Sequence, residues 1–253
     1  MKLILSFLLL GVTLFAEDLA PKKQDVTLGL GAYVQTQPYK GADTLLLPSP
    51  VVFFDNGLFY MRWSRGGVYF YGDRGDDYAW GFSLTAQPRV YGYKPSDSPY
   101  LATLKEKKNT LEGGLAFSAT KNDAYIEIML LTDVLDRYQS WLIKTEFGDK
   151  YTLGDFSFYP SIILSYQSHD FMNYYYGVGV DETNSALGIY SYNASAGLQV
   201  GAQTYINYPL TQELSALVNL RVDILPSSAG NSPIVEQNHI YSGLASLIYT
   251  FEY

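Results

Sequence analysis

The chain has 253 residues, with 25 acidic against 17 basic side chains, and the resulting net charge of -8 removes the electrostatic basis for nucleic-acid binding. It contains no cysteine, which excludes disulfides, thiolate metal sites and cysteine nucleophiles. Charged residues make up 17%, below the roughly 25% of an average soluble domain, while 24 tyrosines supply rings with an apolar body and a polar tip, suited to a membrane interface.

Residues 1–16 read as a secretory signal peptide: a basic start at Lys2, an apolar run from Leu3 to Phe15, and the small Ala16 where a peptidase can cut. The run is too short to cross a bilayer as a helix, and no later stretch reaches the roughly 18 apolar residues a transmembrane helix needs. Any span in residues 17–253, read as one domain, must therefore be β.

From there the recurring signal is alternation with period two, broken by turn residues. Strands are expected at 26–34, 47–54, 58–63, 68–71, 78–90, 109–119, 124–134, 139–147, 156–166, 192–208, 211–224 and 239–253. The clearest is 211–224, where Leu214, Ala216, Val218, Leu220, Val222 and Ile224 share one face and Glu213, Ser215, Asn219, Arg221 and Asp223 the other. In 192–208, Ala194, Ala196, Leu198, Val200, Ala202 and Ile206 stand opposite Asn193, Ser195, Gln199, Gln203 and Asn207. Between 46 and 78, Pro48, Pro50, Gly66, Gly67 and Gly72 interrupt the pattern and leave the strand ends unfixed. Twelve strands is an even number, as bacterial outer-membrane barrels require.

The connections sort by length. If the first strand starts on the periplasmic side, 55–57, 73–77, 120–123, 148–154 and 209–211 are short turns there, while 35–46, 92–108, 169–191 and 226–238 are long loops outside. The fold expected is a closed antiparallel transmembrane β-barrel of about twelve strands with both termini periplasmic. The last strand places Tyr249, Phe251 and Tyr253 in alternation up to a terminal aromatic, a pattern that the barrel assembly machinery reads.

No catalytic, cofactor or metal motif is present. The two histidines, His169 and His239, fall at the rim, and His239 and Ser242 lie three apart on a strand, hence on opposite faces. Glu127, Asp133, Gln199, Gln203, Asn219, Arg221 and Asp223 are expected to line the lumen, with Arg62, Arg89, Lys144 and Arg221 as partners for its carboxylates. Tyr174, Tyr175 and Tyr176 form an aromatic cluster that either binds a sugar or lipopolysaccharide or folds inward to pack a loop over the barrel mouth.

That YYYGV run, followed by Tyr190, Ala194 and Gly197, by Asn231, Ser232, Pro233, Ile234 and Val235, and by the aromatic end, resembles the MipA/OmpV family of outer-membrane proteins. The opening agrees: Gly29, Leu30 and Gly31, then Tyr39 and Gly41, then Pro48 and Pro50. The chain departs from the family at Asn231, where an acidic residue is expected, and at Tyr253, in place of the more usual Phe. The resemblance implies a non-enzymatic scaffold joining a murein lytic transglycosylase and a penicillin-binding protein, with outer-membrane lipid and lipopolysaccharide around it. It carries no active-site residue. A small-solute channel and an envelope hydrolase are the other functions weighed, the first on the polar inner faces of the strands.

Overall fold

The computed structural model describes residues 25–252, so the signal peptide expected at 1–16 and the terminal Tyr253 lie outside the described residues. Alternation is realised as a single antiparallel sheet: β1 (Asp25–Gln35), β2 (Leu45–Asp55), β3 (Phe59–Arg62), β4 (Arg65–Arg74), β5 (Tyr78–Arg89), β6 (Thr110–Lys121), β7 (Ala124–Asp133), β8 (Trp141–Gly148), β9 (Tyr151–Leu153), β10 (Phe156–Gln167), β11 (Gly197–Pro209), β12 (Leu214–Ile224) and β13 (His239–Glu252). β13 pairs with β1 from Glu252↔Asp25 to Ser242↔Gln35, and β10 pairs with β11, so the sheet closes on itself. The three-residue β9 pairs only with β10, prolonging the wall where β8 stops, and the barrel therefore has twelve staves. Closure removes the sheet edges that a β-structure cannot leave unpaired in lipid.

The two faces separate as the period dictates. Leu28, Leu30, Leu84, Leu115, Ile128, Leu130, Leu220 and Leu247 point outward and are exposed, which is a belt for lipid. Aromatic residues flank it. Tyr71, Tyr78, Phe147, Tyr151, Phe156, Tyr208, Tyr249 and Phe251 ring the end where the chain's barrel begins and stops, and Trp141, Tyr166 and Tyr241 ring the other. Tyr249 and Phe251 lie 4.7 Å apart between ring centres, and Trp141 and Tyr166 lie 6.0 Å apart.

Between 46 and 78 the strands run further than the glycines suggested. β4 continues through Gly66 and Gly67 because the Tyr60 ring lies against Gly67, where a Cβ would stand 2.4 Å from the ring's Cζ. A bulge between Tyr69 and Tyr71 then re-aims its last residues. The strand expected at 192–208 starts instead at Gly197, since Tyr192 is taken by a bridge to Val178 and Gly197 packs on Pro226. Asn193 and Ser195, expected on its inner face, belong to the loop. The strand expected from 139 begins at Trp141 because Gln139 is in the left-handed region, with φ 51°.

Candidate functional site

The lumen is built from what the strands aim inward. Glu127 on β7 accepts from Arg62 at 2.7 Å and from Ser118 at 2.9 Å, and pairs with Arg65. Asp55 holds Arg62 at 3.4 Å and Arg74 at 3.2 Å, and Tyr69 donates to it. Glu146 receives Tyr125, Ser161 and Gln203. Asp223 receives both Arg221 and Gln199, and Gln199 in turn accepts from Gln167. Asn219 donates to the Thr204 carbonyl. Each buried carboxylate thus has several donors, the condition for keeping a charge out of bulk water.

Toward the loop end, Glu112 is fully buried and binds Arg89, Gln87 and the Tyr138 hydroxyl, the last at 3.0 Å. Arg89 also lies 4.8 Å from the centres of the Tyr91 and Phe171 rings. That stack ties the wall to α1 (His169–Tyr176), whose N-terminus is capped by Ser168 accepting from the Phe171 N–H. α1 buries Phe171, Met172, Tyr175 and Tyr176. These pack with Tyr39, Tyr93, Leu101, Tyr138, Ile234 and Val235 into one apolar cluster across the mouth.

The loops lock together around it. Ser232 Oγ donates to the Tyr176 carbonyl at 2.6 Å, Tyr39 bridges Val235, and Glu182 accepts the Lys105 and Gly179 N–H groups. Of the tyrosine cluster, Tyr175 and Tyr176 fold inward, and Tyr174 is half-buried beneath Lys107 and the Lys108 N–H.

Gln199, Gln203, Asn219, Arg221, Asp223 and Glu127 sit in the lumen lattice. Asp133 sits at its rim and does other work: its carboxylate accepts from the Leu135, Arg137, Tyr138 and Gln139 N–H groups and from the Thr110 hydroxyl, holding the 134–140 turn. Among the expected basic partners, Arg62, Arg89 and Arg221 hold carboxylates. Lys144 holds none among the described residues. Sequence reasoning missed Arg65, Glu112 and Glu146: Glu112 and Glu146 occupy inward positions that the alternation finds, whereas Arg65 falls between the strands expected at 58–63 and 68–71.

The end bearing the short turns is open by contrast. A cleft of about 600 Å3 is lined by Asp55, Arg62, Tyr69 and Arg74 from the lumen and by Asp76, Asp77, Trp80, Asn122 and Asp123 from the turns. Asp76, Asp77 and Asp123 are exposed around it. Among the described residues no cluster of three or more His, Asp or Glu is arranged to hold a metal ion. Among the described residues no helix is long and apolar enough to cross a membrane.

Residues 28–251 match the family model for MltA-interacting protein MipA. The chain is 27% identical to the MltA-interacting protein of Escherichia coli (strain K12), over 98% of this chain and 99% of that one. It is 22% identical to putative outer membrane protein YiaT of the same strain, over 90% and 91%, and 24% identical to outer membrane protein OmpV of Vibrio cholerae serotype O1, over 72% and 69%.

Proposed function

The chain belongs to the MipA family of outer-membrane β-barrels, and on that footing we propose that it is a non-catalytic scaffold whose short-turn end faces the periplasm and docks a murein lytic transglycosylase together with a penicillin-binding protein. One observation carries this reading: the two ends of the barrel differ in kind. The loop end is filled by α1 and interlocked loops, while the short-turn end presents the cleft between Arg74, Asp77 and Asn122. Short periplasmic turns and long external loops are the ordinary arrangement of such barrels, which supports the orientation. The name of the Escherichia coli relative supports the partner class.

The exposed carboxylates around the cleft suit a basic patch on the partner, with charge complementarity setting encounter and register more than affinity. A lattice in which every carboxylate is satisfied, and histidines that lie apart, support a non-catalytic role. His239 is on the outer face, stacked on Tyr241, while Ser242 faces the lumen. The lipid belt would contact outer-membrane lipid and lipopolysaccharide, and the alternating aromatics Tyr249, Phe251 and Tyr253 would be what the assembly machinery reads.

The reading is tested by crosslinking envelopes and purifying the chain. Recovery of a lytic transglycosylase or a penicillin-binding protein, reduced on replacing Asp76, Asp77 and Asp123 by Asn, is expected. Recovery of neither enzyme from the unsubstituted chain would overturn it. The competing channel reading expects single-channel steps in planar bilayers, whereas the packed mouth implies none.

A further inference from the structure

Above their last shared rung, the top of β11 and the end of β12 part. Their pairing stops at Val200↔Ile224, while β11 runs on to Gly197 with only β10 beside it among the described residues. β12 leaves the wall at Leu225, whose N–H donates to the Asn238 carbonyl at 2.8 Å, and the chain then turns through Pro226 to Asn231. A notch of about 510 Å3 opens between the two, a volume within the roughly 300–1,000 Å3 that ligand sites occupy.

The back of the notch is strapped together. Tyr192 exchanges both backbone hydrogen bonds with Val178, and its hydroxyl donates to the Ser228 carbonyl at 2.8 Å. Ser228 Oγ in turn donates to the Ser195 carbonyl at 2.7 Å. The floor is tight because Gly197 lies against Pro226: a Cβ at Gly197 would stand 2.5 Å from the Pro226 Cβ. Loop and wall are thus fixed relative to each other before a ligand arrives, which lowers the ordering cost of binding.

What the notch presents is polar and uncharged. Ser195, Ser227 and Asn231 are exposed in its lining, and their side chains have no hydrogen-bond partner among the described residues. Two hydroxyls and an amide can each donate and accept. No carboxylate, ammonium or guanidinium group lines the notch, in contrast with the cleft at the short-turn end. A phosphate or other ion entering it would shed water without gaining a counter-charge. A neutral polyol exchanges its bonds to water for equivalent ones. The Tyr192 ring, Pro226 and Leu198 add apolar surface for the C–H faces of a pyranose.

The notch also stands at a defined height on the barrel. Leu198 pairs with Tyr166, one of the aromatic residues that ring the loop end, and both are exposed on the outer face. Below it the exposed Val200 and Ile224 continue into the lipid belt. Aromatic girdles sit at the level of lipid headgroups, so a chain attached to a sugar in the notch has its path along the belt. We propose that the notch binds a neutral mono- or disaccharide, either free or as the headgroup of a glycolipid. This is independent of docking at the short-turn end, and no bond is made or broken.

The test is native mass spectrometry of the full chain with diglucosyl diacylglycerol, diacylglycerol, phosphatidic acid and maltose as separate probes. One retained diglucosyl lipid is expected at a concentration about tenfold below that needed for either sugarless lipid, the ratio that one or two added hydrogen bonds sustain. The S227A/N231A variant, which alters only exposed side chains, should abolish that preference. Hydrogen exchange on adding the glycolipid should show new protection at 195–199 and 226–232 and none at 169–176. Maltose retained by the unsubstituted chain and lost from S227A/N231A would support a free sugar as ligand, and glycolipid retained without maltose would support a lipid-linked one. Retention of neither saccharide, equal retention of phosphatidic acid, a preference that survives S227A/N231A, or no protection at the notch would each overturn the proposal.

Discussion

Arg62 on β3 donates to Glu127 on β7 at 2.7 Å, joining two strands that stand four places apart around the wall. The bond therefore crosses the lumen instead of following the ladder. Arg65 takes the other carboxylate oxygen from β4, and Asp55 on β2 takes Arg62 from below. The short β3–β4 hairpin, which has little ladder of its own, is thereby held to the far wall by charge. Its neighbours supply ring contacts: Arg62 lies 4.6 Å from the centre of the Tyr60 ring.

Removing the acceptor leaves the buried Arg65 guanidinium without a carboxylate and Arg62 with Asp55 alone. Glu127→Ala is expected to cost about 3–5 kcal/mol, the range for breaking a buried pair from one side. Urea unfolding in lipid vesicles measures it. A loss below about 1 kcal/mol would mean that water already screens the pair.

The packed mouth rests on aromatic side chains of α1. Phe171→Ala with Tyr175→Ala should each remove about 3–5 kcal/mol of packing and open the loop end, so that planar bilayers show conductance steps that the unsubstituted chain lacks. Tyr175→Phe is the control: its hydroxyl has no hydrogen-bond partner among the described residues, so losing it should leave the mouth shut. Steps of equal size in the unsubstituted chain would contradict the packed mouth.

Burial holds the hydroxyls of Tyr39, Tyr93, Tyr175 and Tyr176 above the ordinary tyrosine range, and all four sit in loops or in α1. A raised folded value keeps the neutral form, so this contribution to stability is fully present below the unfolded value of about 10 and is lost as pH climbs through the folded values. Alkaline titration of tyrosinate absorbance should show these four ionising only as the loop cap comes apart. Simultaneous ionisation of all of them near the ordinary value would contradict the burial.

Asp133 is the hub of the 134–140 turn. Asp133→Ala should release the Leu135, Arg137 and Tyr138 amides to rapid hydrogen exchange and cost roughly 1.5–3 kcal/mol, the worth of bonds to a charged group, without altering exchange at Gln199 or Asn219. Unchanged protection in the turn would remove it from that role.

Most of the wall was legible in the sequence because lipid on one side and water-like polarity on the other impose period two. The stave count and loop sorting followed from Leu214 to Ile224 and strands like it. The strands at 58–63 and 68–71 were legible, but the tight turn that joins them was not, since nothing in Trp63 or Ser64 announces it. The loop at 192–196 read as strand because alternation persists through Ala194 and Ala196, while the features that claim it, the Val178 bridge and Pro226, are distant in sequence. Lumen residues were legible by parity, as Gln199, Arg221 and Asp223 show. Their pairing was not, because Arg65 reaches Glu127 through curvature that spacing does not encode. The inward fold of Tyr175 and Tyr176 needed the partner loops that carry Tyr39 and Ile234.

Docking of a partner at the short-turn end is tested most directly by a photocrosslinking side chain placed at Asp76 in one strain and at Asp97, in the loop after β5, in another, followed by illumination of living envelopes and detection of the lytic transglycosylase. A crosslink from position 76 and none from position 97 is expected. A crosslink from 97 alone, or from neither, would contradict the account.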